Sequence, residues 1–162
     1  MDAILPEEAK ALDENAGFLG IKMLQLMENA GRGVVERTSQ LLSLKGKDAV
    51  VLSYTGNKGG DGFVIARHLS SLGTRVLLLL LAKPSQIATD EAKTNFEIVS
   101  KLRSSVRISV AQTPSDLALF KDEISSADLI VDAMLGTGSK GPLREPMKTA
   151  VELANGSRGI RV

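Results

Sequence analysis

The stretch Gly56-Asn57-Lys58-Gly59-Gly60-Asp61-Gly62 decides the fold class of this chain, because four of its seven residues are glycine. We call it the first glycine cluster. The apolar, β-branched run 49–52 before it predicts a buried strand, and apolar residues at helical spacing over 63–72 predict a helix. A strand, a glycine loop and a helix form an anion-binding arrangement: glycines adopt positive φ, backbone N–H groups approach the ligand, and the helix end adds partial positive charge. The cluster therefore predicts a phosphate-bearing ligand.

Of two other interpretations of this cluster, the sequence excludes one and leaves the other open. A Walker A loop is excluded, since Lys58 is followed by Gly59 rather than by the Ser or Thr that would hold magnesium. A plain strand-to-helix turn with Asp61 or Gly62 as N-cap stays open, although such a turn needs only one or two glycines.

A second glycine cluster, Gly136-Thr137-Gly138-Ser139-Lys140-Gly141, follows another predicted strand at 127–132. It matches G-x-G-x-x-G formally, but Pro142 and Pro146 delay the next helix, whereas the dinucleotide fingerprint opens a helix within the motif. Ligands of open α/β sheets bind beyond the carboxyl ends of parallel strands. We therefore expect both clusters on one sheet edge, where they form the main pocket.

The remaining pattern alternates strands and helices, which predicts a three-layer α/β/α sandwich with a Rossmann-like, mostly parallel sheet. The predicted strands span 49–52, 76–82, 106–110, 129–132 and 160–162. The predicted helices span 6–42 with a break near 17–20, 63–72, 90–102 capped by Thr89, 116–125 capped by Ser115, and 146–154.

Composition agrees with one globular domain over residues 1–162, with 43% hydrophobic and 24% charged residues. A net charge of +1 and 3% aromatic residues argue against a nucleic-acid partner. The chain has no cysteine, which excludes disulfides and thiol catalysis. Its first residues lack the basic and apolar regions of a signal peptide, and no run is long enough to cross a membrane, so we expect a cytoplasmic protein.

Three blocks carry a family resemblance: Leu26-Met27-Glu28-Asn29-Ala30-Gly31-Arg32, the first glycine cluster with its helix to Leu69, and residues 128–138. They resemble the signature blocks of the YjeF N-terminal domain family, in the family's order. That family includes the NAD(P)HX epimerases, which interconvert the R and S forms of hydrated NAD(P)H. The resemblance implies NADHX or NADPHX as substrate, an NAD(P)HX dehydratase as functional partner, a homodimer and a potassium cofactor.

The resemblance also implies which residues form the site. Asp132 matches a potassium ligand, and replacing Gly60 with a bulkier residue is expected to weaken ligand binding without disturbing the fold. The implied substrate-binding residues are Asn57, Lys58, Gly59, Gly60, Asp61, Gly136, Thr137, Gly138, Ser139, Lys140, Gly141 and Pro142.

The chain departs from the family pattern at two places. Lys58 replaces an Asn that donates an oxygen to potassium, and an ammonium has no acceptor. Two interpretations stay open: Lys58 occupies the cation site and pairs with Asp132, or it points into solvent. The second departure is that the sequence ends at Val162, before the family's Asp-x-Pro-Ser-Gly block. The catalytic residue is therefore unknown, and we expect a domain without the family's C-terminal strands, as a fragment or with an incomplete site.

Most of the other polar residues are not expected to take part in catalysis. His68 is the only histidine, but it lies too far along its predicted helix for general-base catalysis. Glu28 and Asn29 are expected to brace the N-terminal helix against the sheet, and Arg144 is a further phosphate contact beside Lys140.

Two alternative functions are a non-catalytic scaffold or RNA-associated module of the same fold, and an oxidoreductase domain. The oxidoreductase is disfavoured, because no acidic residue follows Gly136 at the distance that a dinucleotide site requires.

Overall fold

A computed structural model describes residues 5–162 of the chain. Five strands alternate with seven helices over these residues, and a 3₁₀ turn spans Pro84–Gln86. The strands are β1 (Asp48–Ser53), β2 (Arg75–Leu80), β3 (Val106–Val110), β4 (Leu129–Ala133) and β5 (Ile160–Arg161). The helices are α1 (Pro6–Phe18), α2 (Met23–Ser39), α3 (Asn57–Ser71), α4 (Asp90–Ser100), α5 (Pro114–Ala118), α6 (Lys121–Ser126) and α7 (Met147–Asn155).

The strands form one parallel sheet in the order β3-β2-β1-β4-β5. β1 lies in the centre, with Leu52 opposite Leu79 of β2 and Asp132 of β4. Strands buried on both faces need continuous apolar sequence, which is why the runs in β1 and β2 were predictable. The predicted parallel sheet is confirmed.

Helices cover both faces of this sheet. Residues of α2, α3 and α4 pack on one face against Val51, Leu78 and Val131. Residues of α5, α6 and α7 pack on the other face against Leu52 and Leu79. The predicted three-layer sandwich is therefore confirmed. Within residues 5–162, no helix combines the length and apolarity that a bilayer span requires.

The strand order creates a crevice at the carboxyl edge of the sheet. From β1 the chain moves outward to β2 and β3, then returns to the other side of β1 to form β4. The connections that leave β1 and β4 therefore diverge, and this topological switch point is where ligands bind in open α/β sheets.

Two predicted helix boundaries were wrong. α3 begins at Asn57 rather than Phe63, so most of the first glycine cluster is helical. The predicted helix 116–125 is two short helices, and Thr113 rather than Ser115 caps the first: its Oγ1 accepts the Asp116 N–H at 3.1 Å. Pro114 favours this earlier start, since proline has no N–H to leave unpaired in a first helical turn.

Candidate ligand-binding site

A cavity of about 410 Å³ lies at the carboxyl edge of the sheet, and both glycine clusters line it. We call it the carboxyl-edge cavity. Residues 54–58 form one side and residues 134–139 form the other. A Cβ added to Gly136 would lie 3.9 Å from the Lys58 Cβ, so the two clusters are in contact. Their predicted placement on one edge is confirmed. The expectation that they form the main pocket stays a prediction, since a cleft of similar volume, about 440 Å³, lies at the opposite edge.

The N-terminus of α3 is open toward this cavity. Gly56 is its N-cap, in extended backbone at φ −91° and ψ −169°, and no side chain caps the helix. The first backbone hydrogen bond of the helix runs from the Gly60 N–H to the Gly56 carbonyl at 3.1 Å. The N–H groups at Asn57 and Lys58 therefore lack a side-chain acceptor at the positive end of a 15-residue helix. This geometry suits a phosphate.

The buried glycines of the first cluster serve packing rather than positive φ. A Cβ on Gly59 would lie 1.9 Å from the Tyr54 carbonyl oxygen, and one on Gly62 would lie 2.3 Å from the Ser53 Oγ. The glycines in the described chain with positive φ lie elsewhere, at Gly20, Gly46, Gly73 and Gly141. Glycine is needed here because α3 lies directly against the end of β1.

Three of the predicted substrate-binding residues, Gly59, Gly60 and Asp61, do not line the carboxyl-edge cavity, and their contact with substrate stays a prediction. Gly60 is buried between helices, where an added Cβ would lie 2.6 Å from the Met27 Sδ and 3.2 Å from the Ala92 Cα. A bulkier residue at Gly60 would therefore disturb the fold, contrary to our expectation. Asp61 lies one turn into α3.

The expected pairing of Lys58 with Asp132 is wrong, because the Lys58 Nζ lies 3.5 Å from the Asp61 Oδ2 instead, and 42% of the Lys58 side chain is exposed to solvent. The pair joins residues three apart on one helix face. Burial raises the pKa of Asp61 above its ordinary value, Lys58 acts in the opposite direction, and the charge of Asp13 raises the pKa further. Lys58 thus keeps a cation at the rim of the cavity while it pairs with a half-buried carboxylate.

Asp132 lies at the end of β4, one residue before the strand ends. Its Oδ1 accepts the Met134 N–H at 3.1 Å, which fixes the chain where it enters the second glycine cluster. Among residues 5–162, no three Asp, Glu, His or Cys side chains come close enough together to hold a metal ion. Potassium stays a prediction: Asp132 offers a carboxylate oxygen, and Lys58 offers no oxygen.

The second glycine cluster is an exposed loop that borders two adjacent cavities. Its first four residues, 136–139, line the carboxyl-edge cavity. Lys140, Gly141 and Pro142 line a neighbouring cavity of about 290 Å³ together with Arg144. Leu135 and Ser139 border both cavities, which are therefore adjacent.

Sequence reasoning missed several cavity residues at the two strand ends. Tyr54, Thr55 and Gly56 directly follow β1, whereas Met134 and Leu135 directly follow β4. A usable signal was their position, because residues just after the carboxyl ends of parallel strands face the ligand in this fold class.

Glu28 connects helices α2 and α3. Its Oε1 lies 2.7 Å from the His68 Nε2, and Arg67 pairs with its Oε2. Burial by itself raises the pKa of Glu28, but hydrogen bonds and charges from His68 and Arg67 outweigh it and lower that pKa below the ordinary value. Glu28 braces α2, as predicted, but it does so against α3 rather than against the sheet. His68 binds Glu28 and does not line the carboxyl-edge cavity.

A parallel sheet with helices on both faces and a cavity at its topological switch point defines a Rossmann-like domain. The sequence matches the family described as YjeF-related protein N-terminus over residues 23–162, and the chain belongs to this family. The crystal structure of the yeast protein YNL200c is similar, with a TM-score of 0.75 and 27% identity over 94% of this chain and 64% of that one.

Two relatives indicate the kind of protein in which this domain occurs. The bifunctional NAD(P)H-hydrate repair enzyme Nnr of Hyperthermus butylicus is 38% identical over 99% of this chain and 29% of its own length. The NAD(P)H-hydrate epimerase of Nitrosopumilus maritimus is 37% identical over 88% of this chain and 63% of its own length. The chain therefore spans less than two thirds of either relative.

Proposed function

We propose that this chain epimerises hydrated NAD(P)H, converting the R form of NADHX or NADPHX into the S form and back. The observation that carries the proposal is the cavity in which the uncapped N-terminus of α3 faces the second glycine cluster. Relatives named for action on NAD(P)H-hydrate support this choice of substrate.

The first turn of α3 would hold the diphosphate of the substrate. Backbone N–H groups at Asn57 and Lys58 point along the helix axis toward the cavity, and the helix dipole favours an anion there. The Lys58 ammonium adds a cation at the rim, in spite of its pairing with Asp61. These contacts need no side chain at Gly56, which allows the ligand to approach the backbone closely.

The second glycine cluster would hold the rest of the dinucleotide. The carboxyl-edge cavity of about 410 Å³ and its neighbour of about 290 Å³ together lie within the size range of small-molecule sites. Lys140 and Arg144 border the smaller cavity, where they would contact the additional phosphate that NADPHX carries and NADHX lacks. Holding the substrate at both ends would fix the hydroxyl-bearing ring, as an inversion requires.

The acid or base that inverts the ring carbon stays unassigned. Tyr54 and Lys58 are the titratable side chains that line the carboxyl-edge cavity, and no described carboxylate lines it. The implied NAD(P)HX dehydratase partner, the homodimer and the cytoplasmic location also stay predictions.

The test is a time course that starts from purified R-NADHX and separates the R and S forms by liquid chromatography. The full chain should convert R into S faster than a protein-free control. Gly138→Leu should slow this conversion, because the site of the new side chain is open space beside the ligand. Gly33→Leu is the matched control: Gly33 is also unobstructed but lies in α2, outside the cavity. Conversion by the wild-type chain at the protein-free rate would contradict the proposal.

A further inference from the structure

A second cleft, of about 440 Å³, lies at the amino edge of the sheet. We call it the amino-edge cleft. The first residues of β1, β2 and β3 border it, together with α6. Val50 and Leu77 are its apolar floor, and both belong to the hydrophobic core on the α5–α7 face. Because β1 has six residues that each rise ~3.3 Å, roughly 17 Å separates this cleft from the carboxyl-edge cavity.

Most of the charges around the amino-edge cleft cancel in pairs. Arg75 donates from Nε and Nη2 to the two carboxylate oxygens of Asp48, each at 2.6 Å. Arg107 pairs with Glu123 across the cleft. Both pairs hold their guanidinium groups in fixed orientations, and a guanidinium has five N–H donors, so each arginine keeps donors that its carboxylate does not use.

Arg103 is the exception among these charges. It lines the cleft, it is exposed, and none of the ion pairs in residues 5–162 includes it. Ser104 and Ser105 follow it in the turn before β3, and their hydroxyl oxygens lie 3.5 Å from each other. One uncompensated positive charge and two hydroxyl groups thus stand beside an apolar floor.

We propose that the amino-edge cleft binds a small phosphate monoester with a planar, apolar body. The phosphate contacts Arg103, Ser104 and Ser105, since guanidinium and hydroxyl groups donate hydrogen bonds to its oxygens. The body lies over Val50 and Leu77, which explains an apolar floor beneath a rim of donors. The cleft volume suits a ligand of mononucleotide size. This site is independent of the proposed epimerase site, because the two lie at opposite ends of the same strands.

The test is an amide NMR titration of the full chain with AMP and, separately, with inorganic phosphate. AMP at up to ~10 mM detects a dissociation constant as weak as ~1 mM. The Ser104 and Ser105 amides should shift and saturate, and AMP should bind there at least ~5-fold more tightly than inorganic phosphate, because only AMP covers the apolar floor. Shifts at Gly56 and Gly138 report the carboxyl-edge cavity separately.

Variants decide whether Arg103 forms the site. Arg103→Ala should weaken AMP binding at Ser104 and Ser105 by roughly tenfold, because it removes a charge-assisted hydrogen bond. Lys101→Ala is the matched control, since Lys101 is exposed nearby but does not line the cleft. No saturable shift at the two serines, equal affinity for AMP and inorganic phosphate, or equal weakening by both variants would overturn the proposal.

Discussion

The two glycine clusters have similar compositions and opposite surroundings. In the first cluster, Gly59, Gly60 and Gly62 are buried in α3, and an added Cβ at each would lie within 2.6 Å of another atom. In the second cluster, Gly138 is exposed and an added Cβ would meet nothing within 4 Å. Glycine therefore allows helix α3 to approach the strand end closely in the first cluster, and it leaves open space beside the backbone in the second, where we propose that the ligand binds.

Because their surroundings differ, we expect the two clusters to have different roles. The buried glycines place the N-terminus of α3 against the end of β1, and only the residues at the helix end reach the cavity. The second cluster borders the cavity along its own length. Substitutions in the first cluster should therefore act on stability, and substitutions in the second should act on ligand binding.

The largest expected effect is that of Gly59→Ala. Its Cβ would lie 1.9 Å from the Tyr54 carbonyl oxygen, and a backbone atom at a strand end has little room to move. Overpacking of this kind costs up to ~3 kcal/mol and sometimes more, so we expect at least that loss of unfolding free energy, or failure to fold. Urea denaturation measures it. Gly138→Ala is the control and should change the unfolding free energy by less than ~0.5 kcal/mol; similar losses in both variants would contradict the comparison.

A smaller loss is expected for Gly60→Ala. The nearest atoms to the new Cβ are Sδ and Cε of Met27, at 2.6 and 2.7 Å. A methionine side chain can change rotamer, so part of the overlap relaxes and the cost should be about 1–2 kcal/mol. Thermal unfolding followed by circular dichroism measures this. An unchanged melting temperature together with weaker NADPH binding would instead restore the view of Gly60 as a ligand contact.

The second cluster should show the reverse behaviour with Gly138→Leu. The added side chain fills open space at the cavity, so NADPH affinity should fall about tenfold, or ~1.4 kcal/mol. The unfolding free energy should stay within ~0.5 kcal/mol of wild type. Isothermal calorimetry with Gly33→Leu as control tests this, and equal affinities of the two variants would count against the second cluster as a ligand loop.

The smallest effect concerns the contact that holds α2 on α3. The folded pKa of Glu28 lies below its ordinary value of 4.5, so its stabilising contribution is complete above about pH 4.5 and is lost as pH falls through the lowered folded pKa. Near pH 6, Glu28→Gln should cost only ~0.5 kcal/mol, since solvent screens a partly exposed carboxylate.

Denaturation of wild type and Glu28→Gln from about pH 6 down to pH 3 measures this contribution. The difference between the two proteins should shrink as the pH falls. Glu97→Gln is the control, because Glu97 is exposed on α4 and belongs to none of the ion pairs in the described residues. A difference that grew toward low pH would contradict the assignment.

The strands were predictable and the start of α3 was not, for a physical reason. β1 and β2 are buried on both faces, so their apolar runs are unmistakable. Glycine is a poor helix former, and four glycines in seven residues predict a loop. Contacts with β1, α2 and α4 override that propensity, because only residues without a Cβ fit between these elements.

One error in the site followed from the error in the helix. Lys58 and Asp61 meet at 3.5 Å because they lie three residues apart on a helix. In a loop they had no reason to meet, so Lys58 was expected either beside Asp132 or in solvent, and not beside Asp61. The placement of both clusters on one sheet edge was predicted correctly, because it depends on strand order and strand ends rather than on the helix boundary.

A crystal structure of the chain with bound NADPH would locate the ligand site directly. The dinucleotide should lie at the carboxyl edge, with diphosphate oxygens within ~3.2 Å of the backbone nitrogens of Asn57 or Lys58. Residues 136–139 of the second glycine cluster should also contact the ligand. A dinucleotide bound away from the first turn of α3, with the carboxyl-edge cavity empty, would show that the two clusters do not form the ligand site.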